Sequence, residues 1–178
     1  MNIDLLGQWH GTYQTDGLWY TPGLFSESGQ YVGGQGFGGP AQNSQVTLDI
    51  EWQGAYQNLS QGVIASPFYG TLLGAQQSVI PVSGFLNQEG YIKMAFYFDE
   101  TPQPPNVEQT TMDGTFNSFI QTQGGIHTMA GGWEMTSWSQ GILTYSLGTL
   151  NVQRAVSLKE RLELSFDAAR QNISRIEP

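Results

Sequence analysis

The side chains that could carry out acid–base or metal chemistry are few in this sequence. It contains two histidines, His10 and His127, and no cysteine. Without cysteine there is no thiolate for a zinc site or a nucleophilic mechanism, and two histidines would need a converging carboxylate to hold a metal ion. The sequence therefore predicts no metal site and no bound cofactor.

Two carboxylates, Asp49 and Glu51, share one face of the stretch VTLDIEW, which begins at Val46. The alternation places Leu48, Ile50 and Trp52 on the opposite face. One interpretation is that the carboxylates lie on a solvated outer face. The other points them inward as a paired acid and base of the kind that glycosidases use. We expect the solvated arrangement.

Glu134 and His127 are the candidate catalytic residues if the protein is an enzyme. Inside a barrel, burial would raise the pKa of Glu134 and suit it to act as a general base in a cyclase or isomerase that uses no cofactor. Its alternation with Trp133 and Met135 instead favours an outward position. His127 is either a core histidine satisfied by one hydrogen bond or the polar group of a ligand pocket.

His127 begins an apolar face that we expect to point inward, and aromatic residues of other strands would complete a pocket. The predicted ligand-binding residues are Trp9, Tyr13, Phe96, Phe98, Phe116, His127, Met129, Trp133 and Met135. Apolar walls with one or two placed polar groups are typical of small-molecule sites.

These residues lie on short runs of alternating apolar and polar side chains, separated by Gly, Pro, Asn and Gln. The runs predict strands near 6–14, 45–53, 61–71, 78–86, 91–98, 107–118, 126–137 and 142–153. Eight strands in up-and-down order can close into an antiparallel barrel whose interior holds one small ligand. We predict this all-β fold, with a two-sheet β-sandwich as the alternative.

The length of 178 residues suits one domain, with a barrel over 1–154 and a C-terminal helix over 155–178. Residues 15–44 form a long Gly-rich loop, predicted to contain at most an irregular strand near 18–20 or 30–32. Long loops often bind ligands. A carbohydrate- or protein-binding module would use the aromatic residues of this loop, which are Trp19, Tyr20, Tyr31 and Phe37.

The C-terminal segment changes to helical spacing. Its apolar stripe consists of Leu158, Leu162, Phe166, Ala169, Ile173 and Ile176. Ser157 followed by Glu160 is a capping box, so the helix should begin at Ser157. We expect the stripe to pack on the barrel of the same chain, with a homodimer formed through the helix as the alternative.

Charge excludes several classes of partner. Six basic residues against fifteen acidic ones give a net charge of −9, and Lys93 is the sole basic residue before Arg154. Nucleic acids and anionic membranes are bound through clustered Lys and Arg, so we expect neither as a partner. No apolar run approaches the length of a membrane helix and no signal peptide is apparent, which predicts a cytoplasmic protein.

Two stretches carry a resemblance to a known superfamily. They are GQWHGTY from Gly7 and GTLNVQR from Gly148. They resemble the first and last strands of calycins, the lipocalin-like and avidin-like barrels. The resemblance implies that Arg154 packs over Trp9 and that the barrel holds a small molecule.

From these observations we expect a protein that binds a small, largely apolar, neutral or cationic molecule inside the barrel. The acidic body favours neutral and cationic ligands. The alternatives are the cofactor-free cyclase or isomerase in the same interior, and the binding module built on residues 15–44.

Overall fold

The structure is a computed structural model that describes residues 3–20, 24–25, 28, 31–32, 36–38, 41–60, 63–74, 79–97, 111–139, 142–163 and 165–166. The strands within these residues are β1 (Gly7–Thr15), β2 (Leu18–Tyr20), β3 (Leu24–Phe25), β4 (Tyr31–Val32), β5 (Gly36–Gly38), β6 (Gln42–Gln53), β7 (Gln57–Ser60), β8 (Val63–Leu73), β9 (Val79–Asn87), β10 (Tyr91–Tyr97), β11 (Thr111–Gln123), β12 (Ile126–Ser139) and β13 (Ile142–Ala155).

The eight long strands form a closed antiparallel barrel. Hydrogen bonding runs in the order β1, β6, β8, β9, β10, β11, β12 and β13, and β13 pairs back with β1. The closing pairs include His10 with Gln153 and Tyr13 with Leu150. This confirms the predicted barrel, and the sandwich alternative is wrong because no edge separates the eight strands into two sheets.

Apolar and polar side chains alternate along the strands, so the apolar ones point into the barrel and form its core. Leu48 and Ile50 of β6 are buried, as predicted, but Trp52 is exposed. The pairing of β6 with β8 shifts register between Ile50 and Trp52. Such a shift reverses the face to which later side chains point. Trp52 therefore turns outward and stacks on Tyr69, with ring centroids 5.4 Å apart.

Gly148 of β13 packs closely against two neighbours at the same time, the backbone of β1 and the bulky side chain of Trp133. A Cβ atom at Gly148 would overlap the backbone oxygen of Gln14 and the indole of Trp133. Any larger residue would therefore displace either the neighbouring strand or the ring. Gly148 makes room for Trp133 on the interior wall.

The described parts of residues 15–44 contain four short strands, more structure than the single irregular strand expected there. β2 pairs with β5 and, through Tyr20 and Tyr145, with β13, whereas β3 pairs with β4. The side chains of the four aromatic residues predicted to form a binding module lie outside the described residues, so their role stays a prediction.

The C-terminal helix covers residues 158–163 and continues at 165–166. The capping box is confirmed: the Ser157 amide donates to Glu160 Oε2 at 2.8 Å, and the Glu160 amide donates to Ser157 Oγ at 3.2 Å. Among the described residues, no helix has the length and apolar character needed to cross a membrane.

The face of the helix that meets the barrel is not the one expected. Leu158, Leu162 and Phe166 of the apolar stripe are 73%, 51% and 67% exposed, whereas Glu160 is buried. The expectation that the stripe packs on the barrel is wrong for these three residues, because hydrogen bonds to Glu160 turn the opposite face inward. Ala169, Ile173 and Ile176 lie outside the described residues.

Candidate functional site

A cavity of about 630 Å³ opens at one end of the barrel, which we call the open end. Its walls come from residues near the ends of β1, β8, β9 and β10. The parts of β6, β12 and β13 that lie at the same level complete them. The lining residues are Tyr13, Ala41, Gln42, Asn43, Ser44, Val46, Leu72, Gly74, Ile80, Phe96, Trp133, Met135 and Leu150. None of these described lining residues carries a charge.

The lining divides by polarity along the barrel axis. Val46, Leu72 and Phe96 are buried and belong to the hydrophobic core beneath the cavity. Gln42 and Asn43, at the start of β6, are exposed and form a rim of amide groups. An apolar floor below a polar rim is suited to a ligand that is mostly apolar and carries few hydrogen-bonding groups.

An aromatic pair forms one wall of the cavity. The rings of Tyr13 and Trp133 are stacked, with centroids 4.9 Å apart and planes at 14°. The Trp133 Nε1–H donates to the backbone oxygen of Gln14 at 3.3 Å, which fixes the indole against β1. Burial raises the pKa of Tyr13 to about 12, so its hydroxyl keeps its proton at neutral pH. A neutral phenol can both donate and accept a hydrogen bond.

The opposite end of the barrel, which we call the closed end, is filled by a cluster around Trp9. The indole is fully buried, and its Nε1–H donates to the Leu5 backbone oxygen at 2.9 Å. The guanidinium carbon of Arg154 lies 5.1 Å from the Trp9 ring centroid. This is the contact that the resemblance of the first and last strands implied. Trp9 and Arg154 are structural residues here.

His127 belongs to the closed end and not to the cavity. A two-residue turn at Gly124 and Gly125, with φ of 59° and 79°, connects β11 to β12 and sets Thr122 opposite His127. His127 Nδ1 lies 2.7 Å from the Thr122 hydroxyl, and Nε2 lies 3.0 Å from Glu160 Oε1. An ionised carboxylate only accepts, so His127 Nε2 carries a proton and donates to Glu160, and Nδ1 is hydrogen-bonded to the Thr122 hydroxyl. His127 is thus a satisfied core histidine.

Glu160 connects the helix to the closed end. Its carboxylate accepts from the Asp4 amide at 3.0 Å, from His127, from the Ser157 amide, and from Arg154 Nη2 at 3.3 Å. Arg154 also donates to the Asp4 backbone oxygen. Burial raises the pKa of Glu160, but the hydrogen bonds from Ser157 and Asp4 and the charge of Arg154 outweigh it, so the pKa falls below 4.5. The carboxylate is ionised at neutral pH.

The predicted ligand-binding residues divide into three groups. Tyr13, Phe96, Trp133 and Met135 line the cavity. Four others, Trp9, Phe116, His127 and Met129, are buried in the barrel but do not line it, so their predicted ligand contact is not seen. Phe98 lies outside the described residues. Alternation identifies inward side chains correctly but does not tell at which height along the barrel each one lies.

The candidate catalytic carboxylates lie outside the barrel. Glu134 is exposed on the outer face of β12, whereas the side chains of Trp133 and Met135 are buried inside the barrel. Glu51 is exposed and accepts weakly from Thr71, and Asp49 accepts from the Gln8 amide at 3.4 Å on the same outer face. The interpretations that place Glu134, or the Asp49–Glu51 pair, inside the barrel are therefore wrong. In the described part of the chain, no group of three His, Asp or Glu residues could hold a metal ion.

Sequence reasoning missed the other half of the lining. Val46, Ile80 and Leu150 were identifiable as inward residues from alternation, but only the closed barrel shows that they reach the cavity. The rim residues Gln42 and Asn43 follow a Gly- and Pro-rich stretch, and no pattern in the sequence distinguishes them from other loop residues.

Comparison of the chain with models of known protein families, with curated proteins and with solved structures found no match.

Proposed function

We propose that this protein binds a small, largely apolar, neutral molecule in the cavity at the open end of the barrel. The observation that carries the proposal is a cavity of about 630 Å³ with the stacked Tyr13–Trp133 pair on one wall. Its volume lies within the range of roughly 300–1,000 Å³ that is usual for small-molecule sites.

Charge supports a neutral ligand over a cationic one, although the sequence favours both. The described lining contains no carboxylate to pair with a buried cation. Taking a charge out of water without a partner is costly. The net charge of −9 acts at long range, where it affects encounter rates more than affinity. A planar apolar group could lie against Trp133, with one polar group at the Tyr13 hydroxyl.

The contact between Trp9 and Arg154 supports a calycin-like origin for the barrel. It is the interaction that this superfamily's first and last strands imply, and it lies at the end opposite to the cavity. In such an arrangement one end is sealed and the other admits the ligand. We propose the relationship on this contact and on the two matching stretches.

A binding protein is supported better than a cofactor-free cyclase or isomerase. The acid–base candidates, Glu134 and His127, do not line the cavity. Among the described lining residues, Tyr13 is the one with an ionisable group, and its raised pKa makes it a hydrogen-bonding group and not a base at neutral pH. General acid–base catalysis works best with a group whose pKa is near the working pH.

Native mass spectrometry of gently purified protein tests the proposal first. We expect an added mass that dissociates on denaturation and belongs to a neutral, largely apolar compound. If the protein is recovered bare, titration with the neutral fluorescent probe N-phenyl-1-naphthylamine supplies the test. If the protein retains no compound and also shows no saturable probe binding, the proposed function is refuted.

A matched pair of variants places the binding in the cavity. Met135→Trp fills the lining from the inside, whereas Glu134→Gln changes the neighbouring residue on the outer face. We expect probe affinity to fall at least about tenfold in the first, which corresponds to about 1.4 kcal/mol, and to stay unchanged in the second. Equal affinity in both variants, with near-ultraviolet circular dichroism unchanged, would place the probe elsewhere and contradict the proposal.

A further inference from the structure

The polar side chains that line the cavity all belong to one side of its mouth. They are Tyr13 of β1 and Gln42, Asn43 and Ser44 of β6. The lining residues of β8, β9, β10, β12 and β13 are apolar or aromatic. β1 and β6 are neighbours in the barrel, and Tyr13 pairs directly with Ser44. A molecule in the cavity therefore meets hydrogen-bonding groups on one side and an apolar wall on the other.

The fold does not use these hydrogen-bonding groups for its own structure. Within the described residues, the Tyr13 hydroxyl, the Ser44 hydroxyl and the Gln42 amide group make no hydrogen bond to another part of the protein. In contrast, the hydroxyls of Ser66 and Ser118 in the core each donate to a backbone oxygen. Polar groups removed from water are normally hydrogen-bonded. Tyr13 and Ser44 are partly buried, so a molecule in the cavity is their available partner.

A hydroxyl is the ligand group that suits these partners best. The hydroxyls of Tyr13 and Ser44 and the amide group of Gln42 can each donate and accept a hydrogen bond. An alcohol also does both, so it can donate to one of them while it accepts from another. A ketone, ester or ether oxygen only accepts and would leave the acceptors of the protein unpaired.

Ionised ligand groups are disfavoured at the same place. No Lys, Arg or His is among the described lining residues, and Lys93, the one basic residue of the barrel before Arg154, is exposed. Burial raises the pKa of Tyr13 to about 12, because too little water reaches the hydroxyl to stabilise a phenolate. A carboxylate or an ammonium group beside Tyr13 would lose hydration in the same way and would find no counter-ion.

We propose that the ligand of the cavity is a neutral alcohol with an apolar body, whose hydroxyl binds between Tyr13 and Ser44. This inference rests on the proposed function. It adds the chemical class of the ligand's polar group, and it makes Ser44 and Gln42 specificity-determining residues. The polar groups lie at the mouth, so the apolar body extends inward to the buried residues Val46, Leu72 and Phe96.

Displacement of N-phenyl-1-naphthylamine by three compounds of equal chain length tests the class of ligand. Decanol, decanoate and decylammonium differ in the polar group alone, so their chains contribute alike to binding. At about pH 7 we expect decanol to displace the probe at a concentration at least about tenfold lower than either ion. If either ion displaces the probe as well as decanol does, the inference is overturned. The proposed function would then still stand, because the probe is bound.

Variants of β6 test where the hydroxyl binds. Ser44→Ala should weaken decanol binding about fivefold, because one hydrogen bond is lost, and should weaken probe binding much less, because the probe has no hydroxyl. Gln42→Ala should act in the same direction. The matched control is Gln45→Ala, which changes an exposed residue of the same strand outside the lining and should affect neither compound. Decanol binding that is unchanged in both Ser44→Ala and Gln42→Ala would overturn the inference.

Isothermal titration of decanol into the protein replaces the displacement experiment if the probe does not bind. Absence of decanol binding would overturn the inference, whereas a retained neutral compound of another class would keep the proposed function. Near-ultraviolet circular dichroism reports that the barrel is folded in each variant.

Discussion

The guanidinium carbon of Arg154 lies 5.1 Å from the centroid of the Trp9 ring, across the closed end of the barrel. The two residues come from the first and last long strands of the chain. The same guanidinium donates to the Asp4 backbone oxygen and to Glu160, so one side chain connects the N-terminal segment, the core and the helix. Cation–π contacts that are shielded from water are stronger than exposed ones.

Replacing Arg154 should be among the most destabilising single changes at the closed end. Arg154→Met keeps most of the side-chain length but leaves Glu160 buried without one of its partners. We expect the free energy of unfolding to fall by about 3 kcal/mol, measured by urea denaturation. Lys159→Met, on the exposed side of the same helix, should change it by less than about 0.5 kcal/mol. Equal effects would show that the Arg154 contacts contribute nothing specific.

Glu160 should make the stability of the protein depend on pH in acid solution. Its pKa in the folded state is lower than 4.5, its value without these contacts. The stabilisation is therefore complete above the unfolded-state pKa and is lost as the pH falls through the folded-state value. The urea midpoint of the unchanged protein should drop between about pH 5 and pH 3 more steeply than that of Glu160→Gln.

The control for this dependence is Glu163→Gln, because Glu163 is on the same helix but exposed. Its pH profile should follow that of the unchanged protein. If Glu160→Gln also follows that profile, the hydrogen bonds to Glu160 do not favour its ionised form in solution.

Two neighbouring glycines should respond differently to the same substitution. A Cβ at Gly148 would overlap the Gln14 backbone and the Trp133 indole, whereas a Cβ at Gly132 would meet nothing closer than the Gly148 oxygen at 3.8 Å. Gly148→Ala should destabilise the fold by about 2 kcal/mol or more, and Gly132→Ala should have little effect. Thermal denaturation of both variants measures the difference, and similar melting temperatures would contradict it.

The Tyr13 hydroxyl should contribute to ligand affinity without contributing to the shape of the cavity. Tyr13→Phe keeps the ring that stacks on Trp133 and removes one hydrogen-bonding group. For a ligand that bonds to this hydroxyl we expect about tenfold weaker binding, measured by isothermal titration of the compound recovered from the purified protein. Because burial raises the pKa of Tyr13 to about 12, affinity should be constant from about pH 6 to pH 10.

The barrel walls could be predicted from sequence because their side chains alternate without interruption. The stretch from Val46 to Ile50 gives one face to the core and the other to solvent, and the structure agrees. The prediction fails at Trp52, where a register shift changes the face. Shifts of register depend on how two strands pair, and a single strand's sequence does not contain that information.

The closed end shows a second limit of sequence reasoning. The capping box of Ser157 and Glu160 was predictable because it is a local pattern. The contact of Glu160 with His127 was not, because 33 residues separate them in the chain. The apolar stripe suggested that the helix would bury its hydrophobic side, but the hydrogen bonds to one carboxylate decide its orientation. The cavity was expected in general, and only closure of the barrel shows which inward residues border it.

The pairing of β1 with β13 has a consequence for how the chain acquires its structure. His10 cannot meet Gln153 until synthesis has passed β13, so the last hydrogen-bonded ladder of the barrel forms between the two of its strands that are most distant in sequence. Contacts of such long range make folding slow. Before closure, β1 and β13 each present an unpaired edge that can join strands of other molecules. We therefore expect refolding yield to decrease as protein concentration rises, while the closed barrel, once formed, exposes neither edge.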